Sequence, residues 1–302
     1  PHTYKTHSKP TPFLGGIAIF LSFGISLLLV LRFQGLNSET IKLLCIVLSS
    51  SAVLLLGVID DFRPISAVIK LFILIIVTFL LNQFGVSIEV FPEPVGFLNF
   101  GLTLLWIAGV TSALNSLDNM DGAVTGTVAI ACVTTFFIAW STWQRWLSFI
   151  SIALIGSCLG YLRYNFHYKG AKIFLGDNGS FFLGFSIASM TALGGWSGLH
   201  FQGIYLEQDT LKSLIVPCAI LGVPLYDITF TTVLRYLRGE VRSINEAIHY
   251  CGKDHLSHRL VAKGLSKREA VMFIWLMGCM FGLAAYIIVV WQMTKVEYLT
   301  LS

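Results

Sequence analysis

Long apolar runs separated by short polar stretches make up almost the whole chain. Nine of them, at 14–31, 41–58, 66–82, 99–114, 124–141, 147–163, 180–196, 212–236 and 269–292, approach the roughly 20 residues that carry an α-helix across a bilayer. Their Leu, Ile and Val runs are unbroken rather than alternating, which sets aside a closed β-barrel. The pattern predicts an all-α fold, a polytopic transmembrane helix bundle of about nine spans. A further N-terminal span ahead of Pro1 is compatible with it. Residues 1–302 read as a single transmembrane domain with a large loop at about 237–268.

Composition excludes the alternative of a soluble globular domain, because 55% of the residues are hydrophobic, 12% are charged and the mean hydropathy is +0.77. The six cysteines form no CxxC pair and lie mostly in apolar runs, so neither a disulfide framework nor a zinc site is expected. No signal peptide, internal repeat or linker is visible, and nothing points to nucleic acid.

Charge gives the bundle a direction. With nine spans and a cytoplasmic N-terminus, only Arg32, Lys42, Arg145, Lys212 and Lys295 of the 20 Lys and Arg fall outside. The positive-inside rule therefore selects that orientation.

On the same map Asp60, Asp61, Asp118, Asp121, Asp177 and Asp254 all fall on the cytoplasmic face, joined by Asn115, His255 and His258. Acids on the opposite face, Glu39, Glu89, Glu93, Glu207, Asp209 and Glu297, are scattered and form no His-Asp cluster. Ionisable groups beside membrane spans are expensive, so several converging on one face point to function. Carboxylates and an amide oxygen suit Mg²⁺, which binds through one or two carboxylates together with substrate phosphates. Nearby Lys, Arg and His supply donors for phosphate oxygens. The face thus suits a metal-dependent phosphoryl reaction between a soluble phosphate compound and a molecule held in lipid.

Each stretch also has a plainer reading. The Asp60–Asp61 pair could end a span in water, and Asp118 and Asp121 in "SALNSLDNMDG" could belong to a polar turn. Asp177 or Asn178 in "FLGDNGS" could cap the next helix. Asp227 in "VPLYDITF" is equally a packing residue beside Pro224. The Lys and Arg of the last loop could simply obey the positive-inside rule.

Taken in order, the motifs resemble one family, the polyprenyl-phosphate N-acetylhexosamine-1-phosphate transferases, with the bacterial undecaprenyl-phosphate GlcNAc-1-phosphate transferases among them and the phospho-MurNAc-pentapeptide translocase as a relative. "KPTPFLGG", "DDFRP", "SALNSLDNMDG", "FLGDNGS" and "DHLSHRL" each look like one of its motifs, and the resemblance covers nearly the whole chain. Ser112, Asn119 and Ser257 depart from the family pattern. The resemblance implies that Asp177 and Asn115 hold Mg²⁺, with Mn²⁺ as the alternative ion. It implies that Asp60 or Asp61 orients or deprotonates the lipid phosphate, and that Asp118 and Asp121 line the nucleotide and catalytic pocket. Lys70 matches a phosphate-contacting lysine, and His255, His258 and Arg259 match binders of the pyrophosphate or sugar. The implied partners are a UDP-sugar, most simply UDP-GlcNAc, a polyprenyl phosphate and the membrane, with a homodimer compatible. The implied place is the bacterial inner membrane, with the active site facing the cytoplasm.

Two rivals come from other classes. An intramembrane aspartyl protease needs Gly-x-Gly-Asp, but Phe174 stands where its first Gly should be. A secondary transporter or lipid-linked substrate carrier explains the spans, yet places polar groups near the midplane, often in two related halves. Here they crowd one surface.

Overall fold

The computed structural model describes residues 12–34, 38–92, 94–194, 196, 200–201, 204–205, 211–243, 246, 252 and 254–301. Eleven helices are described: α1 Gly15–Gln34, α2 Ser38–Phe62, α3 Ala67–Gln83, α4 Phe97–Leu117, α5 Ala123–Ser141, α6 Arg145–Asn165, α7 Gly176–Leu193, α8 Lys212–Ile220, α9 Gly222–Leu237, α10 Leu256–Ala262 and α11 Lys267–Leu301. A hairpin of two-residue strands, β1 His200–Phe201 and β2 Ile204–Tyr205, precedes α8.

Each of the nine predicted segments is helical, but they are not nine equal spans. Among the described residues six helices, α1, α2, α4, α5, α6 and α11, are long and apolar enough to cross a bilayer, or seven if α8 and α9 count as one. The segment 212–236 is not the single helix expected, because it bends by 86° between α8 and α9. Pro224 explains the position of the break: its ring cannot coexist with a helical carbonyl four residues earlier, at Ile220, where α8 ends. α3 is a shorter apolar helix of 17 residues.

The bundle is organised around α7, where every residue from Asn178 to Ala192 is buried. α2 and α4 run antiparallel to it on two sides. Along α2, Ser50 Oγ meets Ser186 Oγ at 3.0 Å while Gly57 lies against Asn178; along α4, Trp106 Nε1 donates to Ala188 O at 3.2 Å while Asn115 lies beside Ser180. Apolar surface has little reason to leave lipid, so close packing and hydrogen bonds hold such helices together. Gly57 makes the tightest approach possible, since a Cβ there would stand 2.5 Å from Asn178 Cα.

Antiparallel packing has a consequence for the site. The C-terminal ends of α2 and α4 and the N-terminal end of α7 all lie at one end of the bundle. α2 stops at Phe62 because Pro64 disfavours helical backbone at Arg63. The chain re-enters at once as α3, whose first turn is capped by Ser66 Oγ accepting from the Ile69 N–H.

Replacing Gly57 by Leu should therefore push α2 off α7 and cost on the order of 1–3 kcal/mol, as overpacking does. Reversible unfolding of the purified protein in a detergent titration measures it, and an unchanged midpoint would show that the crossing tolerates a side chain.

Candidate functional site

The site begins with a backbone pairing. Phe174 N–H donates to Pro12 O at 2.7 Å, Gly15 N–H to Phe174 O at 3.1 Å and Gly16 N–H to Leu175 O at 3.2 Å, so the "PFLGG" and "FLGDNGS" stretches run side by side. Lys9, Pro10 and Thr11 of the first motif lie outside the described residues. The chain then turns into α7 at Gly176, where φ is +74° and a Cβ would stand 2.9 Å from Asp61 Oδ2. Glycine tolerates both demands.

Asp61 closes that turn. Its Oδ1 accepts the Asp177 N–H at 2.9 Å, and its Oδ2 accepts the Asn178 N–H at 3.1 Å and Asn178 Nδ2 at 2.5 Å. The first amides of a helix have no intrahelical partner and carry the positive end of its dipole, so a carboxylate fits there. Asn178 Nδ2 also donates to Phe13 O at 3.0 Å, which ties all three stretches together.

Asp60 faces another way. Its Oδ1 accepts the Ile65 N–H at 2.7 Å, its Oδ2 is ion-paired with Lys70 Nζ, and the Asp177 carboxyl is within hydrogen-bonding reach. Lys70 Nζ also lies 5.0 Å from the centre of the Phe181 ring. From α4, Asn115 Oδ1 accepts from Ser180 Oγ at 2.7 Å, and Ser180 Oγ in turn reaches Asp177 O at 3.4 Å.

Asp118 ends α4, and the turn 118–122 leads to α5. Buried Asn165 anchors that turn by accepting the Gly122 N–H at 2.6 Å. Withdrawal from water, with Asp177, Asp121 and Asp61 close by, pushes the Asp118 carboxyl up to about 8. Positive charge brought close to Asp118 would lower it again.

The "DHLSHRL" stretch approaches from the other side. α10 is tethered to the 118–122 turn by Ser257 Oγ donating to Asn119 Oδ1 at 2.6 Å. Arg235 Nε and Nη2 hold the Asp254 carboxylate at 2.7 and 2.6 Å and keep it below the usual carboxylate range. Arg259 lies over the Phe230 ring at 4.5 Å.

Residues 43–195 match the sequence profile described as glycosyl transferase family 4. A probable undecaprenyl-phosphate N-acetylglucosaminyl 1-phosphate transferase of Bacillus subtilis is 35% identical over 295 residues, which span 95% of this chain and 76% of that protein. The chain belongs to glycosyl transferase family 4. A decaprenyl-phosphate N-acetylglucosaminephosphotransferase of Mycolicibacterium smegmatis is 29% identical over 91% of the chain and 71% of its own length. A phospho-N-acetylmuramoyl-pentapeptide-transferase of Halalkalibacterium halodurans is 29% identical over 95% of the chain and 86% of its own. Its helices and its relatives make this glycosyl transferase family 4 member an integral membrane enzyme.

For this family 4 chain the structure brings Asp60, Asp61, Lys70 and Asp177 into one bonded group, with Asn115 joined to it through Ser180 and Asp118 and Asp121 within its field. His255 and Arg259 sit apart, joined to that group through the Ser257–Asn119 bond. His258, on the same short helix, also has an interaction partner. Sequence reasoning missed the bracing roles of Asn178, Ser180 and Asn165, and saw Asn119 and Ser257 only as departures from a pattern. It left Asp227 undecided, although a carboxylate two turns into an apolar segment was itself a signal.

Asp61→Ala should leave two helix amides and the Asn178 amide without their acceptor, a loss on the order of 3 kcal/mol. Asp61→Asn, which keeps one acceptor oxygen, should recover part of it. Equal detergent-unfolding midpoints for Asp61→Ala and wild type would remove Asp61 from this bracing role.

Proposed function

We propose that this protein transfers a sugar 1-phosphate from a UDP-N-acetylhexosamine, most simply UDP-GlcNAc, to a polyprenyl phosphate, with polyprenyl-pyrophosphoryl-sugar and UMP as products. One observation carries the reading: carboxylates from the ends of α2, α4 and α7, with a lysine from α3, converge at one end of a membrane bundle. Its relatives, named as undecaprenyl-phosphate and decaprenyl-phosphate N-acetylglucosamine phosphotransferases, support the same reaction class. The positive-inside charge balance supports a site facing the cytoplasm of the bacterial inner membrane.

The lipid phosphate already carries a nucleophilic oxygen, so the protein's tasks are to position two anions and to offset the charge where they meet. Lys70, paired with Asp60, supplies a fixed positive charge at the mouth of α2. Asp60 or Asp61 is assigned to orient or deprotonate the lipid phosphate, and Asp60, which faces Lys70 and Asp177 rather than the α7 amides, is the better placed. Asp118 and Asp121 line the nucleotide side, and His255, His258 and Arg259 meet the pyrophosphate or sugar.

Mg²⁺ fits the donors present. They are hard oxygens, and Asn115 Oδ1 keeps a second lone pair beyond its Ser180 bond. Among the described residues no three His, Cys, Asp or Glu are grouped to hold a metal ion by themselves, so substrate phosphates would have to complete its shell. Asp177 and Asn115 are assigned as its protein ligands. The bound ion would draw charge from the pyrophosphate and ease the approach of a second phosphate.

Purified protein given polyprenyl phosphate and UDP-GlcNAc is expected to release UMP, and EDTA is expected to stop it; release undiminished in EDTA would give the carboxylates another purpose. Asp177→Asn should slow turnover on the order of 10²-fold or more. Near-wild-type UMP release from that variant would take Asp177 out of the site.

A further inference from the structure

Asp227 lies in α9, just past the break that Pro224 imposes, and is 2% exposed. A carboxylate so deeply buried is costly unless both oxygens are engaged. Here both are: Oδ2 is 2.9 Å from His255 Nδ1, and Oδ1 accepts the Leu256 N–H at 2.6 Å. Asp227 therefore holds both the imidazole and the first amide of α10, the helix that carries His258 and Arg259.

The neighbours of Asp227 along α9 do related work. Phe230 lies under the Arg259 guanidinium, and Arg235 clamps Asp254, the residue before His255. Asp227 and Phe230, three apart, share a face of α9, and Arg235 lies about 80° round the helix from Asp227. Three separate contacts thus fasten the "DHLSHR" stretch to α9, while the Ser257–Asn119 bond presses it toward the acidic turn. One histidine is gripped from behind, two residues from the serine that meets the acidic turn.

A carboxylate only accepts, so Nδ1 carries the proton of the Asp227 bond, and Nε2, on the far side of the ring, is the nitrogen left to the site. We propose that Asp227 is a positioning residue that fixes the tautomer and orientation of His255, so that Nε2 is presented to the phosphate groups of the nucleotide-sugar. This rests on the reaction proposed above. To donate from Nε2 to a phosphate oxygen the ring takes up one proton from solvent and keeps the other on Nδ1, shared with Asp227. Asp227 then offsets the positive charge without touching substrate.

Asp227→Asn and His255→Asn separate this role from simple bracing. Asp227→Asn keeps the side chain's size and an acceptor for the Leu256 N–H. His255→Asn keeps a donor near the Nδ1 position but deletes Nε2. With UDP-GlcNAc and polyprenyl phosphate as substrates, each variant should lose on the order of tenfold or more in kcat/KM for UDP-GlcNAc, as loss of an orienting partner does. The KM for polyprenyl phosphate should stay within about twofold, and adding Asp227→Asn to His255→Asn should cost less than about twofold more, because the two act as one unit. Multiplicative losses, or near-wild-type kcat/KM in either folded variant, would overturn the proposal while leaving the reaction intact. Were Asp227→Asn not to fold, His255→Asn alone decides: a folded, inactive variant supports presentation of Nε2, and a folded, active one refutes it. Wild-type protein that releases no UMP would instead overturn the reaction itself and this inference with it.

Discussion

The start of α7 is where the molecule is held together, and a single carboxylate holds it. Asp61, at the end of α2, takes the Asp177 and Asn178 amides in the first turn of α7 and the Asn178 side chain, while that side-chain amide also reaches back to Phe13 at the entry to α1. In hydrocarbon or beside it, unpartnered amides cost several kcal/mol, so a helix that begins inside a bundle needs an acceptor brought by another helix. Asp61 meets that need and gains from the positive end of the α7 dipole. With α7 fixed in depth and direction, Asp177 and Ser180 are placed beside Asp60 and Asn115.

The two adjacent aspartates therefore face different problems. Asp61 has both oxygens committed to the backbone and side chain of α7, whereas Asp60 is paired with Lys70 and lies next to Asp177. One acid organises the protein, and the other is turned toward the ion pair and the carboxyl cluster. Asp118, withdrawn from water with Asp177, Asp121 and Asp61 close by, adds a further acid to the same end of the bundle.

The second half of the site depends on a helix that does not run straight. By ending α8 at Ile220, Pro224 lets α9 set off at 86° and offer Asp227, Phe230 and Arg235 to the stretch around α10. A straight 25-residue helix over 212–236 would have carried these side chains on a different axis. The histidine stretch is thereby mounted on α9 and tied to the acidic turn by one bond between Ser257 and Asn119.

The sequence by itself determined that this is a membrane helix bundle, where most of its long helices begin and end to within a few residues, and that several of its polar residues are too costly to be accidental. Those features follow from local rules: apolar length, proline and the expense of charge near lipid. It could also order the motifs, and the family to which the chain belongs agrees with that order. Tertiary structure decided which side chains meet. No local pattern says that Asp61 serves residues 177 and 178, that Asn119 meets Ser257, or that Asp227 holds His255, because each pairing closes a loop of 28 to 138 residues through the crossing of other helices. A period of 3.6 residues tells which side of one helix a residue occupies. Only the packing of helices, set by glycines such as Gly57 and by the break at Pro224, decides what that side faces.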